Sequence, residues 1–293
     1  MSRALGERLE VAEWCFVIPH SARELSSYVR NELVADVAAA LEGKRGAPFR
    51  RSRHATTWRV RVASPTGGSV HIFIKLLDSA RGLIARAKAI SRARRSLHVL
   101  RVSEDLRRRG FGVPSVLLIG ENRETGNEVI VMSEVPGFML TRWMTPAHQT
   151  GLGLRREILR ILGAEIARLH RSGYIHGDLT PYNIFATGDH PIAITFIDHE
   201  GTERTSPVSI NVARSRMRNL VQLGHFDILG VSRTDKLRVF ASYAAAIGLS
   251  KRAGRQSLLR LTKMIERRRK RDRAIKRDAT QPAIIAKEGA ARG

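Results

Sequence analysis

The sequence predicts an α+β fold of two lobes: an antiparallel β-sheet N-lobe with one long helix, and a mostly α-helical C-lobe. Three observations predict it. Between residues 49 and 132, short β-branched or alternating runs recur with turn signals between them. From Leu154 onward, apolar residues recur mainly at helical spacing. The two patterns meet at Pro136–Gly137, with no Gly/Ser-rich or Pro-rich linker and no internal repeat. The expected organisation is an N-terminal helical extension over 1–44, the N-lobe over 45–134, the C-lobe over 135–262 and a basic tail over 263–293.

Taken in order, Ala22–Leu41 reads as a helix that Gly43 and Gly46 break. Phe49–Arg53, Thr56–Val62 and Ser69–Leu77 read as strands, the last two split by the turn Ser64–Gly68. Arg81–Arg109 has helical spacing, with Leu97, Leu100 and Glu104 on one face and Val99, Val102 and Leu106 on another. Gly110, Gly112 and Pro114 end it. Val116–Ile119 and Val129–Met132 are strands around a polar turn at Glu121–Asn127. Leu154–His170 is an amphipathic helix, with Ile158, Leu162, Glu165, Ile166 and Leu169 at helical spacing. Strand-like runs at Tyr182–Ala186 and Ile192–Ile197 follow, and Asn211–Arg271 is helical throughout. Gln281–Gly293, small and polar, is expected to fray. A ligand is expected in a cleft between the lobes.

Charge narrows the function. Lys and Arg number 51 against 27 Asp and Glu, a net charge of +24. Such an excess points to a polyanionic partner: nucleic acid, anionic lipid or a phosphorylated substrate. Eight of the eleven residues Arg267–Arg277 are basic, and a second concentration spans Arg81–Arg109. Aromatic residues make up only 5% of the chain, which argues against base-stacking platforms and so against nucleic acid. Cys15 is the single cysteine, so an internal disulfide is excluded and a reducing compartment expected. The N-terminus lacks an apolar run before a cleavage site, and no window holds the roughly 18 apolar residues of a spanning helix. The expected location is cytoplasmic, peripheral at most to a membrane. HExxH, CxxC and GxxxxGK[ST] are absent, which leaves zinc and Walker-type readings without support.

The chemistry is concentrated in HGDLTPYNIF, His176–Phe185. Asn183 follows Asp178 by five residues, and Asp198 comes fifteen residues later, after a run that reads as a buried strand. Two carboxylates and an amide on tight loops suit phosphoryl transfer: one carboxylate accepts a hydroxyl proton, while the amide oxygen and the other carboxylate hold Mg²⁺ on nucleotide phosphates. Lys75, in the strand HIFIKLL, would point a cation into a cleft against α/β-phosphates. His176 reads as a scaffold residue, His170 as a cation at a helix C-terminus, Cys15 as an inert apolar residue, and Trp14, Trp58 and Trp143 as packing residues.

HxDLxxxN, a following strand-end Asp and an upstream strand Lys together resemble the protein-kinase-like superfamily. The Gly of HGDL, the basic SRARRS run at Ser91–Ser96, the turn at Arg109–Pro114 and the basic helical region from Arg218 resemble its bacterial lipopolysaccharide (Kdo/heptose) kinase family. The resemblance covers roughly residues 45–245 and implies a Mg²⁺/ATP-dependent kinase acting on a hydroxyl of a lipopolysaccharide inner-core sugar. It implies Asp178 as catalytic base, Asn183 and Asp198 as metal ligands, Lys75 as the phosphate-binding lysine, and Ser133, Glu134 and Val135 as the hinge that meets adenine. Glu104 is the candidate partner of Lys75, although it comes 29 residues after it.

The chain departs from the protein-kinase pattern in three places. DHE at 198–200 stands for DFG, the phosphate loop Arg51–Val60 has no glycine, Arg53 is its candidate substitute cation, and Thr180 stands where protein kinases carry Lys. Two other readings fit the same residues: a Ser/Thr protein kinase of this fold, and a silent kinase-fold scaffold that binds anionic membrane or RNA. A compact neutral substrate would not call for this charge.

Overall fold

The computed structural model describes residues 6–25, 32–43, 48–52, 54–63, 67–79, 94–145, 150–206 and 211–290, with side chains at the C-terminal end described as far as Arg273. The chain divides into two compact units: residues 1–136 with 195–200, and residues 137–194 with 201–293.

The first unit is built on a seven-stranded sheet. Its strands are β1 (Gly6–Val11), β2 (Trp14–Pro19), β3 (Arg50–Arg51), β4 (Ala55–Ala63), β5 (Ser69–Leu77), β6 (Val116–Asn122) and β7 (Glu128–Ser133). They lie in the order β1-β2-β6-β7-β5-β4-β3, and neighbours pair antiparallel. Two helices accompany the sheet, α1 (Val34–Leu41) and α2 (Arg95–Arg108).

Side chains alternate across the sheet, so each strand feeds two cores. Ile72 and Ile74 of β5 join Phe16, Trp58, Leu118 and Val131 in a core that includes Leu33, Val34 and Val37 beside α1. Leu77 joins Val17, Ile119 and Ile130 in a second core with Leu97, Val99 and Leu100 of α2. Lys75 is two residues from Leu77 and one from Ile74, so it lies on the α2 face.

Three expectations change here. Residues 6–19 are not part of a helical extension but two strands of the sheet, with Phe16 and Ile18 buried in its core. β1 is an edge strand and carries charges along much of its length, so it shows no apolar alternation to read. Of the Ala22–Leu41 helix, a 3₁₀ turn at His20–Leu25 and the short α1 are seen, and residues 26–31 lie outside the described residues. The Arg81–Arg109 helix is seen as α2 from Arg95, and residues 80–93 lie outside the described residues.

The second unit comprises β8 (Phe138–Met139), α3 (Leu140–Met144), α4 (Leu152–Arg171), β9 (Tyr174–Ile175), β10 (Ile184–Ala186), β12 (Glu203–Arg204), α5 (Val212–Gly224), α6 (Arg233–Ala246) and α7 (Lys251–Ala290). The strand β11 (Ile194–Phe196) carries the chain back to the first unit, where the Phe196 N–H donates to the Gly112 carbonyl at 2.9 Å. β8 pairs with β10, and β9 with β12.

Helices α4 and α6 meet closely at Gly163, where a Cβ would come within 2.3 Å of the Val239 carbonyl oxygen. Ser232 and Asp235 form a capping box at the start of α6, and Arg155 of α4 bonds the Asp235 carboxylate at 2.5 Å. Burial pushes that carboxyl up, but Ser232 and Arg155 outweigh it and hold it below its usual range. The basic tail has no start at 263: it belongs to α7, one helix from Lys251 whose backbone continues to Ala290 through the stretch expected to fray. Arg269 seats α7 by donating to the carbonyl of His225 at 2.9 Å. Among the described residues no helix is long and apolar enough to cross a membrane.

Candidate active site

In the first unit, Lys75 sits mid-strand on β5, opposite Thr57 of β4 and Ile130 of β7. Its Nζ lies 2.8 Å from Asp198 Oδ1 and also bonds Glu200 Oε1. Burial disfavours the ammonium, but the charges and hydrogen bonds of Asp198 and Glu200 outweigh that effect and raise its pKa above 10.5. Lys75 is therefore a fixed cation. Its side chain is only 17% exposed, whereas that of Asp198 is 35% exposed and open to a ligand.

Asp198 reaches Lys75 from a left-handed backbone, φ +67°, which an L-residue adopts at a cost. A 3₁₀ turn at His199–Gly201 follows, and the buried His199 ring holds the Phe196 carbonyl at 3.0 Å through Nε2.

Glu104 is not the partner of Lys75. It lies on α2 and accepts from Ser21 Oγ at 2.8 Å, while the carboxylates at the lysine come from Asp198 and Glu200. Of the hinge candidates, Ser133 ends β7 and donates its N–H to the Ser115 carbonyl at 2.9 Å. The Glu134 N–H donates to the His71 carbonyl at 3.2 Å, and its carboxylate pairs with Arg59 at 2.7 Å. Val135 is half-buried beyond them. In the glycine-free loop, Ser52 Oγ accepts from the Ala55 N–H at 3.1 Å and the Ser52 N–H donates to the Ala55 carbonyl at 2.8 Å. Arg53 lies outside the described residues.

In the second unit, Asp178 and Asn183 come together on one loop. Asn183 Nδ2 donates to Asp178 Oδ2 at 2.9 Å and to the Asp178 carbonyl at 3.0 Å. The strand expected at Tyr182–Ala186 begins instead with a 3₁₀ turn at Pro181–Asn183, and this turn carries Asn183 back towards Asp178. Asp178 is exposed, while its neighbours His176 and Leu179 are fully buried and anchor the loop. Gly177 lets the loop pass close to Gly201: its φ is +79°, and a Cβ would meet the Gly201 carbonyl oxygen at 2.0 Å.

Helix α5 grips the same loop with residues the sequence reading missed. Asn219 Oδ1 accepts from the His176 N–H at 3.0 Å, and Asn219 Nδ2 donates to Gln222 Oε1 at 2.9 Å. Gln222 in turn donates to the Gly177 carbonyl and accepts from the Leu179 N–H at 3.4 Å. Asn219 and Gln222 stand three positions apart, so both lie on one helical face. That spacing was available in the sequence, but nothing local showed which loop the face would meet.

His170 corrects another expectation: it is a buried neutral ring, not a helix-end cation. Burial and the nearby Arg216 lower its pKa to about 4, against an opposing hydrogen bond to Asn219. Its Nε2 lies 3.2 Å from Asn219 Oδ1 and its Nδ1 3.0 Å from the Tyr243 hydroxyl. A carboxamide oxygen can only accept, so Nε2 carries the proton and Nδ1 accepts from Tyr243. Because the folded pKa is depressed below 6.5, the unfolded chain binds the extra proton first. The stabilisation is complete above pH 6.5 and is lost as pH falls towards 4. Between pH 7.5 and pH 4.5 the wild type is expected to lose about 2 kcal/mol more than His170→Gln in urea denaturation. Equal losses would remove His170 from the acid response.

The donor set fits a hard cation. Among the described residues no group of three or more His, Cys, Asp or Glu could hold a metal ion. Asp198 in the first unit and Asn183 in the second each carry a side-chain oxygen, the hard kind of donor that Mg²⁺ prefers.

The model of the lipopolysaccharide kinase (Kdo/WaaP) family matches residues 80–243, more than half of the chain. The O-antigen chain terminator bifunctional methyltransferase/kinase WbdD of Escherichia coli is 33% identical over 75 residues, 26% of this chain and 10% of that protein. The EKC/KEOPS complex subunit BUD32 of Encephalitozoon cuniculi (strain GB-M1) is 35% identical over 105 residues, 36% of this chain and 46% of that protein. The chain thus spans less than half the length of these curated relatives. The solved structure of WaaP in complex with acyl carrier protein superposes with a TM-score of 0.60 at 18% identity, covering 87% of this chain and 98% of that one, which shows a shared kinase-like fold. With the family match extending over HGDLTPYNIF and Asp198, the chain belongs to the lipopolysaccharide kinase (Kdo/WaaP) family.

Proposed function

We propose that the protein is a Mg²⁺- and ATP-dependent kinase that phosphorylates a hydroxyl of an anionic acceptor, an inner-core sugar of lipopolysaccharide. The observation that carries this reading is the Lys75–Asp198 ion pair, which joins residues 123 positions apart at 2.8 Å. Family membership supports it.

In this reading Lys75 holds the α/β-phosphates, and Asp198 and Asn183 supply oxygens to the metal. Bound Mg²⁺ and ATP supply the phosphoryl group and the counter-charge on its oxygens. Asp178 orients the acceptor hydroxyl and accepts its proton late, and Asn183 fixes the carboxylate that does so. The hinge meets adenine through Ser133, Glu134 and Val135. Since the N–H groups of Ser133 and Glu134 are taken by Ser115 and His71, its N–H contribution narrows to Val135.

The basic surface holds the acceptor at the cytoplasmic face of an anionic membrane. Arg260, Lys263, Arg267, Arg268, Lys270 and Arg271 of α7 are exposed cations. Each contributes roughly 1 kcal/mol when placed near an anionic bilayer. The test offers ATP, Mg²⁺ and either core glycolipid in anionic vesicles or a panel of proteins. A mass gain of one phosphate on the glycolipid alone, falling steeply with added salt, is the expected result. Phosphate on protein alone, or none on glycolipid, overturns the acceptor; a flat salt response overturns the role of the surface.

A further inference from the structure

We propose that Glu200 is the residue that positions Lys75, and that it does so as a bridge to Arg95 at the start of helix α2. This rests on the reading of Lys75 as the phosphate-binding lysine. The helix itself has no carboxylate to offer: Glu104 is engaged with Ser21 at 2.8 Å, and Asp105 pairs with Arg108 at 3.5 Å and Arg109 at 3.4 Å. What α2 brings is a cation, which cannot hold an ammonium directly. Glu200 resolves the mismatch by accepting from Lys75 with Oε1 and from Arg95 with Oε2. The link between strand and helix is therefore two ion pairs that share one carboxylate.

The local backbone explains why one short segment supplies two carboxylates to one amine. Asp198 is left-handed and the 3₁₀ turn begins at once. His199 turns into the interior and holds Phe196, while the residues on either side of it reach Lys75. The two carboxylates then differ in task. Glu200 places both oxygens on cations and is 20% exposed. Asp198 gives one oxygen to Lys75 and is 35% exposed.

The far end of the bridge is also anchored. Glu128 of β7 accepts from the Arg95 N–H at 3.1 Å, from the Ser96 N–H at 2.8 Å and from the Ser96 hydroxyl at 2.5 Å. These bonds satisfy N–H groups that the first turn of a helix leaves open. Arg95 is thereby held on the sheet independently of Lys75, and the bridge has a fixed support to pull against. DHE in place of DFG is, on this account, a change that moves the lysine's partner from the helix onto the metal-binding segment itself.

The test compares the full chain with Glu200→Gln, Glu200→Asp and Arg95→Ala in two assays. One measures kcat and KM for ATP. The other, without nucleotide, reads acetylation of the Lys75 amine by mass spectrometry. Glu200→Gln is expected to lower kcat by about 30-fold with KM for ATP changed by less than about threefold, because a misplaced group costs most in the transition state. It should also raise Lys75 acetylation severalfold at a temperature well below the thermal midpoint of every variant. Glu200→Asp recovers most of both effects, and Arg95→Ala shifts both in the same direction by less. Wild-type kcat and acetylation in Glu200→Gln overturn the proposal. So does a Glu200→Asp variant as impaired as Glu200→Gln with a common fall in thermal midpoint, which would mark a purely structural role. If the wild type transfers no phosphate, the kinase reading fails, while the acetylation pattern still decides the positioning of Lys75.

Discussion

Asp178→Asn is expected to reduce phosphate transfer about 1,000-fold while nucleotide binding and thermal stability stay near wild type. The magnitude is that of removing a positioned general base. The selectivity follows from the geometry of the loop. Asp178 is exposed, and its fold-holding neighbours are the buried His176 and Leu179, which the substitution does not touch. Asn183 Nδ2 donates to Asp178 Oδ2 at 2.9 Å, and a carboxamide oxygen at residue 178 can still accept that bond. The variant therefore keeps the shape of the loop and loses the basicity. The measurement is single-turnover transfer from labelled ATP beside a thermal melt with and without Mg²⁺ and ATP. Transfer within about tenfold of wild type would remove Asp178 from the role of base.

Lys75→Met is expected to act at binding as well as turnover. The amine is the cation held beside Asp198 and Glu200, and the variant leaves those carboxylates facing each other with Arg95 as counter-charge. Breaking a largely buried pair from one side is costly, because the remaining charge is left without its partner. A loss of about 2 kcal/mol in folding stability is expected at neutral pH. If the proposed function holds, nucleotide loses its phosphate contact, so kcat/KM for ATP should fall on the order of 100-fold or more, and the Mg²⁺-dependent stabilisation by ATP should disappear. A variant that is still stabilised by millimolar ATP as the wild type is would place the phosphates elsewhere.

The candidate residues of the two units differed in how far they could be read in advance. Asp178 and Asn183 are five residues apart, and their bond is made within one loop, so spacing carried the information. Lys75 was legible as a strand cation because its neighbours alternate, and β5 runs over the predicted Ser69–Leu77. Its partner was not legible. The choice between Glu104 and Glu200 depends on which residues the sheet, α2 and the turn after Asp198 bring to one amine. A gap of 125 residues carries no periodic signal. The pair of carboxylates in DHE was in view, but only the left-handed Asp198 and the inward His199 turn both onto the same lysine.

The same division holds for the fold. Runs with clear alternation or helical spacing, such as β4, β5 and α4, stand close to where local pattern put them. β1 was hidden because it is an edge strand whose exposed charges mask the period, and β2 because its continuous apolar run has no alternation to read. His170 shows the limit for charge: at the end of α4 it reads as a cation, and it is neutral because packing against later helices buries it and Arg216 disfavours a second positive charge, against the opposing hydrogen bond to Asn219. Local chemistry, the strand and helix periods and the spacing within a loop were written in the chain's own order. Burial, partner choice and protonation came from residues far apart in that order, because they are properties of an environment that exists only once the chain has packed.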